Sequence, residues 1–196
     1  MVTDVNKWVV MIQLLIGGVR SGKSDAAENL LIQQLADNPS LHPAYIATSV
    51  AFGEETISRI QQHQKTRQSR FPQVLSTYEL DYKNTDLLSV LNLLNTPNHI
   101  LLIECLSTWV GWYLSVNKSL HENLLSFEQQ KESFLSFLQS ATCDVIIVSG
   151  EVGCGLIGET PLQRRYADQL GELNQQVATL ADRVFVVTAG IKQLIK

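Results

Sequence analysis

Cysteine is scarce in this chain, and the few present cannot form a framework. Cys105, Cys143 and Cys154 are odd in number, scattered, and include no C-x-x-C pair. That argues against a disulfide scaffold or a cysteine zinc site and for a reducing, cytoplasmic setting. A basic excess is also lacking: 15 Lys and Arg face 19 Asp and Glu, a formal net charge of −4. Nucleic acid is therefore not the expected partner, since generic binding to it needs a basic surface. No apolar run approaches the roughly 20 residues of a membrane span. The start, Met1 to Lys7, contains an acidic residue and no apolar leader pattern, so secretion is not expected. Charged residues make up only 17% against 45% hydrophobic, the composition of a core-rich folded chain.

The 196 residues suit one α/β domain spanning 1–196, with 1–8 as an N-terminal extension. Strands are expected at Val9–Ile16, Ala44–Ala47, His99–Glu104, Asp144–Ser149 and Arg183–Thr188. Helices are expected at Lys23–Ala36, Glu54–Arg67, Thr85–Leu94, Ser107–Leu114, His121–Ser140 and Leu162–Ala181. The runs Ile100-Leu101-Leu102-Ile103 and Val145-Ile146-Ile147-Val148 read as strands buried on both faces, as in a parallel sheet. Strand–helix alternation without a linker or repeat predicts βαβ crossovers. Phe71–Asn84 is the least regular stretch, expected to form a short antiparallel excursion or a lid.

Between the first strand and first helix stands Gly17-Gly18-Val19-Arg20-Ser21-Gly22-Lys23-Ser24, which fits G-x-x-x-x-G-K-[ST] at every fixed position. Glycines let the backbone curl so that successive N–H groups face phosphate oxygens, aided by the positive end of the helix. Lys23 is then expected to reach the β- and γ-phosphates, and the Ser24 hydroxyl to hold Mg²⁺. This motif alone indicates a P-loop protein that grips a nucleoside triphosphate.

Such a site also needs a carboxylate near the metal. Glu104 follows the apolar run Ile100–Ile103, where an acid is costly without a cation. Glu151, ahead of Gly153 and Gly155, is a second candidate in a loop facing phosphate or substrate. In the expected second helix, Arg59, His63 and Arg67 recur every four residues and share one face. Flanking cations would keep His63 neutral and nucleophilic and hold phosphates against it, as covalent nucleotidyl transfer requires. On pattern alone the same stripe also describes a solvated basic helix face.

A series of blocks carries a more specific resemblance. Beyond Gly17–Ser24 these are Tyr45-Ile46-Ala47-Thr48-Ser49, Arg59-Ile60-x-x-His63-x-x-x-Arg67 and Leu101-Leu102-Ile103-Glu104-Cys105-Leu106-Ser107-Thr108-Trp109. Glu151-Val152-Gly153-x-Gly155 and Asp168-x-x-Gly171-x-x-Asn174-Gln175 follow. In type and order they resemble the bifunctional adenosylcobinamide kinase/adenosylcobinamide-phosphate guanylyltransferase family of cobalamin biosynthesis, from Met11 to Lys196.

The resemblance implies a P-loop, RecA-like fold with a mostly parallel sheet flanked by helices, and two reactions on one corrinoid substrate. A nucleoside triphosphate, ATP or GTP, first phosphorylates adenosylcobinamide. GTP then gives GMP to that phosphate through a covalent GMP–histidine intermediate. The family nucleophile falls on His63, and guanine-nucleotide contacts fall on Gly17, Gly18, Val19, Arg20, Ser21, Gly22, Lys23 and Ser24. Further contacts fall on Ala47, Thr48, Ser49, Gln64, Lys65, Thr66 and Arg67, with acidic ones on Glu79 and Glu104. The family forms trimers, and Trp109, Trp112 and Tyr113 read equally as an exposed cluster at a subunit boundary or as packing in this chain's own core. The chain departs from the family pattern at Gln68 and Phe71, where Pro and Trp are usual, and at Gly150, Gly158 and Ala167. The spacing from His63 to Glu79 is also stretched. These changes touch loops and the corrinoid side, leaving the triphosphate grip intact. Two other readings stay open: a P-loop kinase for another small metabolite, with His63 structural, and a non-catalytic nucleotide-binding module.

Overall fold

The computed structural model describes residues 10–49, 70–71, 74–116, 119–156 and 158–196. The expected helix Glu54–Arg67 lies outside the described residues. Those described form seven strands: β1 (Ile12–Gly17), β2 (His42–Ala47), β3 (Ser76–Glu79), β4 (His99–Glu104), β5 (Asp144–Gly150), β6 (Arg183–Thr188) and β7 (Ile191–Leu194). Five helices accompany them: α1 (Lys23–Asp37), α2 (Leu87–Leu94), α3 (Leu106–Ser115), α4 (Leu120–Ser140) and α5 (Pro161–Leu180).

One sheet contains all seven strands in the order β3-β2-β4-β5-β1-β6-β7. Every pairing is parallel except β6 with β7. The P-loop strand β1 is thus separated from the Glu104 strand β4 by one intervening strand, the RecA-like order. Central strands are apolar on both faces because each face has its own core. Ile100 and Leu102 pack with Ala27, Leu31 and Tyr45 on the α1 side. Leu101 and Ile103 pack with residues of α2, α3, α4 and α5 on the other. Alternation along the strand sends neighbouring side chains to opposite layers.

Helix starts follow local chemistry. Asp86 with Ser89, Ser119 with Glu122, and Thr160 with Gln163 each form a reciprocal capping box, the last followed by Pro161 at the first helical position. The Asp86 cap begins α2 at Leu87 rather than at the expected Thr85.

Three expectations are corrected. Phe71–Asn84 contains no antiparallel excursion among its described residues: Ser76–Glu79 pairs parallel to β2, with Ala44 opposite Ser76. The first strand begins at Ile12, not Val9. Trp109 is not an exposed interface residue, since it is fully buried with edge-on contacts to Tyr113, Phe127 and Phe134. Trp112 stacks on Tyr82 at 4.8 Å, so the aromatic cluster serves this chain's own packing.

The sequence also conceals β7. It returns from β6 through Ala189 (φ 51°) and Gly190 (φ 80°), a two-residue turn with both centres left-handed. Gly190 N donates to the Ser21 carbonyl at 2.8 Å, so this turn braces the phosphate loop.

Candidate active site

The strands bring their C-terminal ends to one edge, where parallel α/β sheets bind ligands. Register aligns Glu79, Ala47 and Glu104 across β3, β2 and β4. Gly17 lies opposite Gly150 at the same edge. Residues far apart in sequence therefore share one rim.

The phosphate loop leaves β1 at Gly17 and enters α1 through Gly22, whose φ of 92° a side chain would resist. Arg20 also has a positive φ, 57°. Lys23 Nζ donates to the Gly18 carbonyl at 2.6 Å. Burial pulls its ammonium below the ordinary lysine range, and nearby Cys105 and Glu104 oppose that shift. A cleft of about 240 Å³ opens before the loop, lined by Arg20, Ser21, Gly22, Lys23, Ser24, Asp25, Glu28 and Arg70.

Ser24 and Glu104 meet here. The Ser24 hydroxyl donates to Glu104 Oε1, and Tyr45 OH donates to Glu104 Oε2 at 3.0 Å. Both groups are hard oxygen donors of the kind that suits Mg²⁺. Among the described residues no three His, Cys, Asp or Glu gather as a metal-binding group.

Ala47 ends β2 beside this carboxylate, and Thr48 and Ser49 follow it in the next loop. Thr48 N donates to the Glu104 carbonyl at 2.9 Å. The Thr48 hydroxyl donates to the Cys105 carbonyl at 2.7 Å and lies 2.5 Å from Thr108 Oγ1. Tyr82 OH donates to the Thr48 carbonyl at 2.7 Å. These bonds join the loops after β2, β3 and β4. Glu79 is exposed at the end of β3. Glu151 N donates to the Gly17 carbonyl at 2.9 Å, while its carboxylate accepts from Gly153 N at 2.5 Å. The Glu151 loop thus borders the phosphate loop, with its acid engaged locally. Arg59, His63, Gln64, Lys65, Thr66 and Arg67 lie outside the described residues.

A family model described as cobinamide kinase / cobinamide phosphate guanyltransferase matches residues 13–195. The chain belongs to that family. It is 32% identical to the bifunctional adenosylcobalamin biosynthesis protein CobU of Escherichia coli K12 over 194 residues, 95% of this chain and 100% of that protein. The Salmonella typhimurium LT2 protein of the same name gives the same identity and coverage. The bifunctional adenosylcobalamin biosynthesis protein CobP of Pseudomonas aeruginosa is 31% identical, covering 95% of this chain and 98% of that protein. A solved KaiC-like protein from Pyrococcus horikoshii OT3 superposes with TM-score 0.45 at 14% identity, covering 90% of this chain and 70% of that one.

Within this member of the cobinamide kinase / cobinamide phosphate guanyltransferase family, two site residues were not singled out by sequence reasoning. Arg70 bridges Asp25 (2.6 Å), Glu28 (2.7 Å) and Asn29 (3.0 Å) on α1. No local pattern announces that clamp, because its partners lie over 40 positions earlier. Tyr45 contacts Glu104 from the adjacent strand. Its signal was present in parity: residues 45 and 47 share a face of β2, and 47 stands opposite 104.

Proposed function

We propose that the chain phosphorylates adenosylcobinamide with ATP or GTP and then transfers GMP from GTP to the resulting phosphate, giving adenosylcobinamide-GDP. The observation that carries the kinase half is the meeting of Lys23, Ser24 and Glu104 at the mouth of the phosphate loop. In the first step the substrate hydroxyl oxygen attacks the γ-phosphorus, loses its proton, and the nucleoside diphosphate leaves. Lys23 and Arg20 bind and orient the triphosphate, with the loop amides. Ser24 and Glu104 would hold Mg²⁺, which neutralises charge on the phosphoryl oxygens. Ala47, Thr48 and Ser49 border the nucleotide, and Glu79 marks the far side of the same rim.

For the second step His63 is the nucleophile. Its neutral imidazole attacks the α-phosphorus of GTP and pyrophosphate leaves. An oxygen of adenosylcobinamide phosphate then attacks that phosphorus and frees the imidazole. Gln64, Lys65, Thr66 and Arg67 flank the nucleophile, and the family resemblance supports their contact with the guanine nucleotide. The same resemblance supports a homotrimer, checked by light scattering at micromolar concentration. The three free cysteines suit a cytoplasmic enzyme. Among the described residues no helix is long and apolar enough to cross a membrane.

His63→Asn tests the division of labour. Asn keeps polarity and reach but cannot form a phosphoramidate. The variant should phosphorylate adenosylcobinamide and lose guanylylation. With α-labelled GTP, wild type should retain an acid-labile, base-stable label that the variant lacks. Labelled His63→Asn, or a folded variant that loses both activities, would refute this role.

A further inference from the structure

Tyr45 reaches Glu104 by sheet geometry rather than by chance surface contact. The β2–β4 register pairs Tyr45 with Leu102 and Ala47 with Glu104. Tyr45 and Glu104 therefore project from the same sheet face, on diagonal positions. Diagonal neighbours lie about 7–8 Å apart, within reach of a tyrosine ring. α1 packs on that face through Ala27, Leu30 and Leu31, and its first turn supplies Ser24. Tyr45 is only 4% exposed, and its ring is locked in this core.

The result is a carboxylate held at both oxygens: Oε1 by Ser24 and Oε2 by Tyr45. The terminal torsion of a glutamate is broad and nearly two-fold, so an untethered carboxylate turns freely. A buried phenol on one oxygen fixes the plane and leaves the other facing the phosphate loop. Outer partners of this kind orient metal-binding carboxylates.

We propose that Tyr45 is a positioning residue that aims Glu104 at the nucleotide-bound Mg²⁺. This rests on the reading of Glu104 as a metal-facing carboxylate. Tyr45 touches neither nucleotide nor substrate in this role; it acts through Glu104.

The test is binding of a fluorescent GTP analogue to the full chain, titrated with Mg²⁺, for wild type, Tyr45→Phe and Glu104→Gln. Phe retains the ring and its packing and removes only the hydroxyl. A single hydrogen bond to a charged group predicts that Y45F needs roughly tenfold more Mg²⁺ for half-maximal effect. Metal-free nucleotide affinity and the melting temperature in Mg²⁺-free buffer should stay near wild type. If E104Q shifts the Mg²⁺ requirement and Y45F does not, the inference about Tyr45 is wrong. If Y45F weakens metal-free binding as much as Mg²⁺-dependent binding, Tyr45 is structural and the proposal falls. If E104Q leaves the Mg²⁺ requirement unchanged, the reading of Glu104 itself fails.

Discussion

Alanine at Gly17 should be far more damaging than alanine at Gly18, although the two glycines are adjacent. A Cβ built on Gly17 falls 2.3 Å from the Val187 carbonyl oxygen and 2.8 Å from Ser21 Oγ. On Gly18 it meets nothing within 4 Å. Neither glycine has a positive φ, so backbone preference does not separate them. Ser21 can rotate away, but the Val187 oxygen belongs to β6, which is hydrogen-bonded to β1 alongside. Relief requires parting those strands or lifting the start of the phosphate loop. Overpacking costs about 1–3 kcal/mol, and a backbone obstacle points to the upper half of that range. At about 2–4 °C per kcal/mol for a chain this long, Gly17→Ala should melt roughly 5–10 °C below wild type. Gly18→Ala should stay within about 0.5 kcal/mol. Urea unfolding followed by tryptophan fluorescence and circular dichroism measures both. Turnover by folded Gly17→Ala should also drop, by about 10²-fold for a loop displaced by 1 Å. Equal unfolding midpoints for the two variants would refute the steric argument.

Lys23→Ala should cost at least about 10²-fold in phosphoryl transfer, because it removes charge stabilisation at the β- and γ-phosphates. Circular dichroism should show a folded protein; near-normal kinase activity would contradict the assignment. Trp109→Ala should destabilise by about 3–5 kcal/mol, since a fully buried ring leaves a cavity between Phe127 and Phe134. A midpoint within 1 kcal/mol of wild type, roughly the average effect of a point substitution, would mean that the site collapses around the loss. Thiol labelling at pH 8 should modify exposed Cys154 quickly and leave Cys143 unmodified until unfolding. Burial pushes the Cys143 thiol up to about 11, so it stays protonated as well as covered. Mass spectrometry of the labelled peptides reads the order directly.

Much of this protein was legible in its residues. Gly17–Ser24 specifies a tight turn, an anion-binding helix start, one cation and one hydroxyl, and these requirements are local in sequence. The runs Ile100–Ile103 and Val145–Val148 announce strands covered on both faces, because only a layered sheet buries every residue of such a run. The expected helix starts at Thr85, His121 and Leu162 fall about one or two residues from the capped starts at Leu87, Leu120 and Pro161. The role proposed for His63 rests on resemblance alone, since its spacing with Arg59 and Arg67 also describes a solvated helix face.

Tertiary structure decided what depends on distant partners. β3 and β7 are four-residue edge segments with largely exposed side chains, and they exist because β2 and β6 offer unpaired backbone groups beside them. On sequence alone Trp109 suits a subunit boundary or this chain's own core, and α4 decides for the core by supplying Phe127 and Phe134 to enclose it. The meeting of Ser24, Tyr45 and Glu104 depends on the β2–β4 register and on α1 covering that face. Composition and periodicity describe how each segment behaves along the chain. Register, strand order and enclosure are relations between segments, settled only when their backbone hydrogen bonds and apolar faces are satisfied together.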